Sequence, residues 1–329
     1  MKCTSKKHKN RFFSLLLVLC LFLSACGKLE YDMPYSVEGD VSSFNVVSKQ
    51  NTRTAVPFAT NICVVEGDLL SAKTDNLGNA NSAGLFDVKG KEVLYSQAAH
   101  ERIFPASLTK VMTAIVALKY GNVNQTLTAT NAVNVTEKGA QLCGLKPGDV
   151  LTLDQALRIL LLYSANDAAM LIADSVAGSV DRFVELMNEE AQKLGATNTN
   201  FVNPHGLSDN NHYTTAYDLY LIFNEAIKYE TFNEIIQMSS YQTTYYDKDG
   251  KEKKFDKTTT NLFVRGDYKA PENVTVIGGK TGTTAAAGHC LIMLSRDENG
   301  APYISVVCGA TSTEELYKGM IDLLNEIHK

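Results

Sequence analysis

Hydrophobic and polar positions alternate in short stretches at both ends of the main part of the chain, and follow a helical period between them. An alternating stretch from Gly84 to Tyr95, broken by a Lys-Gly-Lys turn, predicts a β-hairpin. Three short β-rich runs separated by Gly and Asn turns occur near the C terminus, at 274–277, 289–295 and 303–307. We expect the hairpin and these runs to form one antiparallel sheet.

Apolar residues at helical spacing predict several helices between and after these strands. The segment from Ser107 to Tyr120 is the first of them. A Ser or Thr followed three positions later by Gln or Glu predicts helix starts at Thr152, Thr231 and Ser312. Strands at both ends with helices between them predict an α+β fold, an antiparallel sheet covered by a helical cluster. The remaining predicted helices cover 167–176, 180–194 with Gly195 as C-cap, and the segment after Thr215.

The first 25 residues have the pattern of an export signal. Five basic residues and no acidic one accompany an apolar run from Phe12 to Phe22 that is too short to span a bilayer comfortably. Leu23-Ser24-Ala25-Cys26 resembles a bacterial lipobox, in which the signal is cut before a cysteine that is then lipidated. Residues 1–25 are therefore predicted to be a signal peptide, and Cys26 to anchor the protein to the extracytoplasmic face of the bacterial membrane. Ordinary signal cleavage, which leaves a free protein, is the alternative.

Charge and composition limit the partners and the organisation of the chain. The formal net charge is −5 at pH 7, and loss of residues 1–25 would remove five basic residues, leaving −10. Nucleic acid is therefore not expected as a partner. Residues 26–58 are polar with little hydrophobic periodicity, which predicts a flexible tether. Residues 59–329 are expected to form the folded part.

The cysteines of the folded part do not suggest a metal site. Cys63, Cys143, Cys290 and Cys308 have no zinc-binding spacing, and neither a metal nor a cofactor is predicted. Cys290 and Cys308 flank a predicted hairpin turn near 299–300, so they should lie roughly opposite each other. Packing thiols are favoured there over a disulfide, which stays open because the register is uncertain by one residue.

Three short strings, in a fixed order, supply the parts of a serine acyl-transfer site. In Ser107-Leu108-Thr109-Lys110, the hydroxyl and the amine lie three positions apart on a helix and share a face, so Lys110 can act as the base toward Ser107. A buried lysine with a second cation nearby has a lowered pKa, and Lys280 is the expected second cation. The helix start also offers its dipole and the Ser107 N–H to a developing oxyanion.

The second string, Ser164-Ala165-Asn166, lies on the predicted connection between two helices. Ser164 can relay a proton between the lysines and the leaving group. Asn166 can donate to an amide of the substrate or to Lys110. By itself the string is weak evidence for a catalytic site, because it is typical of an ordinary helix linker. It supports a site only through its place in the ordered set of three strings.

The third string, Lys280-Thr281-Gly282, is predicted to lie on the edge of a β-strand. An edge strand can pair with an extended peptide, and Gly282 allows the peptide backbone to approach closely. Lys280 and Thr281 can receive a terminal carboxylate. The N–H of Thr283 is expected to complete the oxyanion hole with that of Ser107.

These strings and their neighbours resemble the low-molecular-mass penicillin-binding proteins, the serine-type D-alanyl-D-alanine carboxypeptidases. The resemblance implies a fold shared with serine β-lactamases and an acyl-enzyme on Ser107. It also implies removal of the terminal D-Ala from the peptidoglycan pentapeptide, and acylation by β-lactams. It spans about 84–329 and rests on Pro105–Ala114, Ser164–Ala169, Asn203–Leu207, His212–Leu219 and Gly279–Gly282.

The chain departs from the family pattern in two places. Many relatives carry a C-terminal β-rich second domain, which is not expected here. Many also have an arginine shortly after the last strand, thought to help hold the substrate carboxylate, where this chain has Ala310-Thr311-Ser312-Thr313. Lys280, Thr281 and Thr283 are therefore the expected carboxylate receptors.

Four other polar residues are assigned structural places, and two other functions stay open. His205, His212 and His289 are expected to pack in turns or walls, because a serine served by lysine needs no histidine. Glu185 is expected on an exposed helix face, so efficient turnover of β-lactams is not predicted. A β-lactamase or esterase on the same fold and a non-catalytic cell-wall binding module are the alternatives.

Overall fold

The computed structural model describes residues 58–71, Leu77 and 80–328. The predicted signal at 1–25, Cys26 and nearly all of the predicted tether at 26–58 lie outside the described residues and stay predictions. No helix in the described ranges is long and apolar enough to cross a membrane.

The described residues contain nine strands, which form two antiparallel sheets. The first strands are β1 (Ser82–Asp87), β2 (Glu92–Gln97), β3 (Thr126–Thr128) and β4 (Val150–Thr152). The others are β5 (Ser240–Tyr246), β6 (Glu252–Thr258), β7 (Thr275–Thr284), β8 (Gly288–Arg296) and β9 (Pro302–Ala310). The larger sheet has the order β2-β1-β9-β8-β7 and the smaller sheet β3-β4-β5-β6, so β7 is an edge strand.

Helices pack on both faces of the larger sheet. They are α1 (Thr109–Tyr120), α2 (Leu153–Arg158), α3 (Asn166–Ala177), α4 (Val180–Lys193), α5 (Ala216–Ala226), α6 (Glu230–Ile236), α7 (Leu262–Arg265) and α8 (Thr313–Leu324). Short 3₁₀ turns lie at Phe58–Asn61, Ala106–Leu108, Asn131–Val133 and Asn325–His328, and a π turn at Ile159–Tyr163. The α+β prediction is confirmed.

Alternate residues of the larger sheet divide the interior into two cores. Phe86, Ile292 and Val306 face the core that holds α1 to α6. Leu85, Leu291 and their neighbours face a second core, which is covered by α8. In α1 every residue from Thr109 to Ala117 is buried, as expected of a helix that is apolar nearly all round. The string that begins at Ser107 therefore enters the centre of the larger core.

Most of the predicted element starts are confirmed. The Gly84–Tyr95 hairpin is β1 and β2, paired antiparallel, with Asp87 accepting from the turn amides of Lys89 and Gly90. Thr152 and Gln155 form a complete capping box at α2. Ser312 caps α8 by accepting from the Glu315 N–H.

One predicted helix start is wrong. Helix α6 has Tyr229 at its N-cap and begins at Glu230, so Thr231 lies inside its first turn. The connection from α5 is only a few residues long, and the Tyr229 N–H bonds back to the carbonyl of Ala226, which starts the next helix directly. The capping-box spacing from Thr231 to Glu234 is therefore a coincidence of sequence.

The smaller sheet was not predicted. Strands β5 and β6 are rich in Lys, Thr and Tyr, and most of their residues are partly or fully exposed, so they lack a clear apolar alternation. The C-terminal runs are also longer than predicted. Strand β7 continues through the glycines at 278 and 279 to Thr284, because a glycine inside a strand weakens its pattern without ending it.

The cysteines follow the prediction of packing thiols. All four are free in the structure, and Cys290 and Cys308 are fully buried on β8 and β9. Their strands pair with a bulge just at Cys290, between His289 and Leu291. No cluster of three or more metal-ligating side chains exists among the described residues.

Candidate active site

Ser107 lies in the 3₁₀ turn Ala106–Leu108, which runs directly into α1. Ala106 before it has φ of 47°, a left-handed conformation that costs a residue with a side chain about 1 kcal/mol. The loop that contains Gly206 presses on this turn, since a Cβ at Gly206 would lie 1.8 Å from the Ala106 carbonyl oxygen. The surrounding structure thus holds the serine in a turn that the local sequence alone does not favour.

Lys110 projects from α1 toward Ser107, as its spacing predicts. Its Nζ lies 2.9 Å from Ser107 Oγ, 2.7 Å from Asn166 Oδ1 and 2.6 Å from the carbonyl oxygen of His205. The side chain is completely buried. Burial and the charge of Lys280 lower the pKa of Lys110 well below its usual value, although the Asp167 carboxylate opposes them.

These contacts aim the lone pair of a neutral Lys110 at the serine. A neutral amine has two N–H donors and one lone pair. The carbonyl oxygens of Asn166 and His205 can accept both donors, so the lone pair is left for the hydroxyl proton of Ser107. The expectation that Asn166 donates to Lys110 is therefore wrong, because its amide oxygen accepts from that lysine.

Lys280 forms a second buried amine next to Ser164. Its Nζ donates to Ser164 Oγ at 3.0 Å and to the carbonyl oxygen of Thr281 at 2.7 Å. Burial lowers the pKa of Lys280 to about 7. Ser164 follows the π turn in a left-handed conformation, with φ of 66°, which turns its side chain toward Lys280. The hydroxyl therefore lies where a proton relay is expected.

Asp167 fastens the loop on the opposite side of the cleft. Its buried carboxylate accepts from the backbone N–H groups of Cys143, Gly144 and Leu145. The preceding loop residue Gln141 accepts the Asn166 N–H at its carbonyl oxygen, and its side chain donates to the Tyr163 carbonyl. Sequence reasoning did not assign a role to either Asp167 or Gln141, although Asp167 stands directly after the second string.

Strand β7 brings the third string against the serine. A Cβ at Gly282 would lie 3.0 Å from the Ser107 nitrogen, so only glycine lets the strand come this close. Thr281 and Thr283 point to the other side of the strand, where Thr281 Oγ1 lies 2.5 Å from Thr260 Oγ1. Thr260 is a further contact that the sequence did not indicate. At its start the strand is covered by α6, since a Cβ at Gly278 would lie 2.1 Å from the Ile236 carbonyl oxygen.

A cleft of about 290 Å³ joins these groups. The predicted residues Ser107, Ser164, Asn166, Thr281, Gly282 and Thr283 line it. The amines of Lys110 and Lys280 lie beneath its floor, fully enclosed. No Asp or Glu is among the described residues that line the cleft, although the chain as a whole is acidic. The cleft can therefore admit an anionic ligand without direct repulsion from its walls.

His205, His212 and Glu185 take structural places. Burial lowers the pKa of His205 to about 3 and that of His212 to about 4, so both are neutral packing residues. His212 contacts Thr109 Oγ1 and accepts the Val202 N–H. Glu185 is exposed on α4 and pairs with a neighbouring arginine, as predicted. His289 is one of the residues that line the cleft.

The family model of peptidase S11, D-alanyl-D-alanine carboxypeptidase, matches residues 71–312. The chain belongs to this family. It is 33% identical over 241 residues to the D-alanyl-D-alanine carboxypeptidase DacF of Bacillus subtilis, a match of 72% of this chain and 59% of that protein. It is 36% identical to DacA of Escherichia coli over 261 residues, 75% of this chain and 61% of DacA.

Solved structures give the same family likeness. The Streptomyces K15 DD-transpeptidase superposes with a TM-score of 0.69 and 28% identity, over 75% of this chain and 96% of the other. The family and fold predictions are thus confirmed. The chain matches only about three fifths of the length of DacF and DacA.

Proposed function

We propose that this protein is a serine-type D-alanyl-D-alanine carboxypeptidase, which removes the terminal D-Ala from peptidoglycan stem peptides and is acylated by β-lactams. The observation that carries the proposal is the position of Lys110, whose buried amine lies 2.9 Å from Ser107 Oγ and has a lowered pKa. A neutral amine in hydrogen-bond reach is what a serine needs to become a nucleophile. The names of the relatives DacF and DacA support this choice of substrate.

The chain's residues divide the acylation step between them. Ser107 Oγ bonds to the carbonyl carbon of the penultimate D-Ala while its proton passes to Lys110. The negative charge that develops on the carbonyl oxygen is received by the N–H groups of Ser107 and Thr283. The close approach of Gly282, the residue before Thr283, to the Ser107 nitrogen supports this assignment. The peptide C–N bond then breaks, and the departing amine takes a proton through Ser164 from the lysine pair. Water releases the peptide by attack on the ester.

Release of D-Ala from a diacyl-L-Lys-D-Ala-D-Ala peptide tests the proposal. The wild-type protein should release D-Ala and form a covalent adduct with penicillin, and Ser107→Ala should abolish both. Ser240→Ala, which changes an exposed serine in β5, is the control and should behave like the wild type. Absence of release from the wild type would refute the activity, and release by Ser107→Ala would refute the mechanism.

The lifetime of the penicillin adduct separates a carboxypeptidase from a β-lactamase on the same fold. Glu185 lies on an exposed helix face, and no acidic side chain lines the described cleft to activate water for deacylation. We therefore expect the adduct to persist for many minutes. Clearance within seconds would favour the β-lactamase, and a folded protein that forms no adduct would favour a binding module.

We also propose that the protein is exported and attached to the extracytoplasmic face of the membrane through a lipid on Cys26. The basic start, the short apolar run and the lipobox-like string at 23–26 support this proposal. The wild-type protein should fractionate with membranes and incorporate labelled fatty acid. Cys26→Ser should lose the label, while Cys63→Ser, which changes a buried thiol, should keep it. An unlabelled wild-type protein would contradict lipidation.

A further inference from the structure

His289 occupies the end of the cleft where β7, β8 and the start of α8 meet. It stands directly across from Thr283 in the β7–β8 pairing. Its Nδ1 lies 3.5 Å from Thr283 Oγ1 and 3.3 Å from Thr313 Oγ1. Three elements therefore place one imidazole and two hydroxyls together on the wall of the cleft.

The imidazole has a free hydrogen-bonding edge. Nδ1 faces the two threonines, and Nε2 has no hydrogen-bond partner among the described residues. His289 is partly exposed and belongs to the lining of the cleft. An imidazole can donate an N–H bond through Nε2 in either protonation state. Each threonine hydroxyl has a single proton, so one that donates to Nδ1 keeps none for a ligand, and the other hydroxyl can add a second donor.

The other basic groups of the cleft are already occupied. Lys110 and Lys280 are buried, and their amines bond to Ser107, Asn166, the His205 carbonyl, Ser164 and the Thr281 carbonyl. The imidazole of His205 is kept neutral by burial. Among the described residues that line the cleft, His289 is therefore the basic side chain that remains to bind a substrate anion at this end.

We propose that His289, held by Thr283 and Thr313, binds the terminal carboxylate of the acyl-donor peptide and so determines the specificity for a free C terminus. The proposal rests on the proposed function, because it assigns a substrate group within the same cleft. Gly282, the residue before Thr283, lies beside Ser107. In the peptide, the terminal carboxylate lies one residue beyond the bond that Ser107 attacks. His289 acts as a binding residue and takes no proton in the reaction.

The test compares two substrates that differ only at the terminal group, a diacyl-L-Lys-D-Ala-D-Ala peptide and its C-terminal carboxamide. The wild type should prefer the free acid. His289→Ala should lower kcat/KM for the acid about ten-fold or more, mostly through KM, and leave the carboxamide nearly unchanged. His289→Arg, which restores N–H donors, should recover most of the preference. Arg296→Ala removes a cation from the exposed end of β8 and is the matched control.

The outcomes separate this inference from the proposed function. If the wild type hydrolyses the acid but His289→Ala keeps the same preference for acid over carboxamide, the role of His289 is refuted while the carboxypeptidase activity stands. An equal loss on both substrates would also refute it, because that result indicates damage to the site. If the wild type releases neither D-Ala from the acid nor D-alaninamide from the carboxamide, the proposed function itself fails.

Discussion

At the scale of single residues, the site depends on two buried lysine amines. Their burial lowers the stability of the protein but gives the amines the reactivity that the site needs. Burial disfavours the charged form of a lysine and lowers its pKa, and Lys110 and Lys280 are both completely buried. The same enclosure lowers the pKa of Lys110 and so lets its amine act as a base. The protein therefore sacrifices stability for reactivity at these positions.

The pH dependence of stability should reveal the cost of Lys280. Its pKa is about 7 in the folded protein against 10.5 ordinarily, so between these values the unfolded chain binds more protons and the unfolding free energy rises with pH. Lys280→Met should flatten that rise, and near pH 7 it should be more stable than the wild type by about 1–3 kcal/mol, despite losing catalysis. Urea unfolding at several pH values measures this, with the exposed Lys318→Met as control. An unchanged slope in Lys280→Met would contradict the lowered pKa.

At the scale of elements, the connections carry the chemistry and the regular elements hold them in place. Ser107 lies in a turn next to a left-handed Ala106, and Ser164 is itself left-handed after a π turn. Non-glycine residues with positive φ are uncommon and costly. One of these residues directly precedes Ser107 and the other is Ser164 itself. The strained backbone positions therefore lie at the two hydroxyls of the site.

The strain at Ser164 predicts that two variants of this residue differ in stability although both lose activity. Ser164→Gly removes both the hydroxyl and the left-handed penalty, whereas Ser164→Ala removes the hydroxyl alone. The glycine variant should therefore be more stable than the alanine variant by about 1 kcal/mol. Both should acylate much more slowly than the wild type with penicillin. Thermal unfolding and acylation rates measure the two effects, and an alanine variant at least as stable as the glycine variant would contradict the strain.

The loop held by Asp167 predicts a local weakness. Asp167→Ala would leave the backbone N–H groups of Cys143, Gly144 and Leu145 without their acceptor, which should destabilise the protein by about 2–4 kcal/mol. Hydrogen exchange of these amides should accelerate. Asp174→Ala, on the same helix but bonded to an exposed threonine, is the control and should leave them protected. Unchanged protection in Asp167→Ala would show that other contacts fix the loop.

At the scale of the whole molecule, the larger sheet carries the third string of the site on β7. The two cores that pack against this sheet stabilise it through contacts remote from the cleft. Phe86 on β1 is fully buried and stacks on Tyr220 of α5, with ring centroids 4.1 Å apart. This contact joins the sheet to the helices on the face opposite to α8. Neither ring is among the residues that line the cleft.

Truncating this contact should reduce stability without changing the chemistry. Phe86→Ala should destabilise the protein by about 3–5 kcal/mol because it leaves a cavity in the larger core. The acylation rate of the molecules that remain folded should stay near the wild-type value. Tyr246→Ala, which truncates a half-exposed aromatic residue of β5, should cost far less. A lower acylation rate in the Phe86→Ala molecules that remain folded would contradict this prediction. It would show that the contact between Phe86 and Tyr220 also positions the sheet for catalysis.

The sequence predicted the elements that have strong local signals and missed those specified by distant contacts. The capping box at Thr152 and the helix carrying Lys110 were predictable because each signal lies within a few residues. The smaller sheet was not predictable, since its polar strands are paired by the tertiary fold. For the same reason the donor direction between Lys110 and Asn166 was wrong, because the His205 carbonyl that fixes it comes from a remote loop.

The edge position of β7 has a further consequence for the solubility of the molecule. An unpaired strand edge is a template onto which other chains can add, and long exposed edges promote aggregation. Helix α6 lies against Gly278 at the start of the strand, and the stretch at 281–284 is recessed in the cleft beside Ser107. A second copy of the protein cannot easily bring a flat sheet edge into such a recess, whereas a single thin peptide can. We therefore expect the walls of the cleft to hinder self-association through the edge of β7.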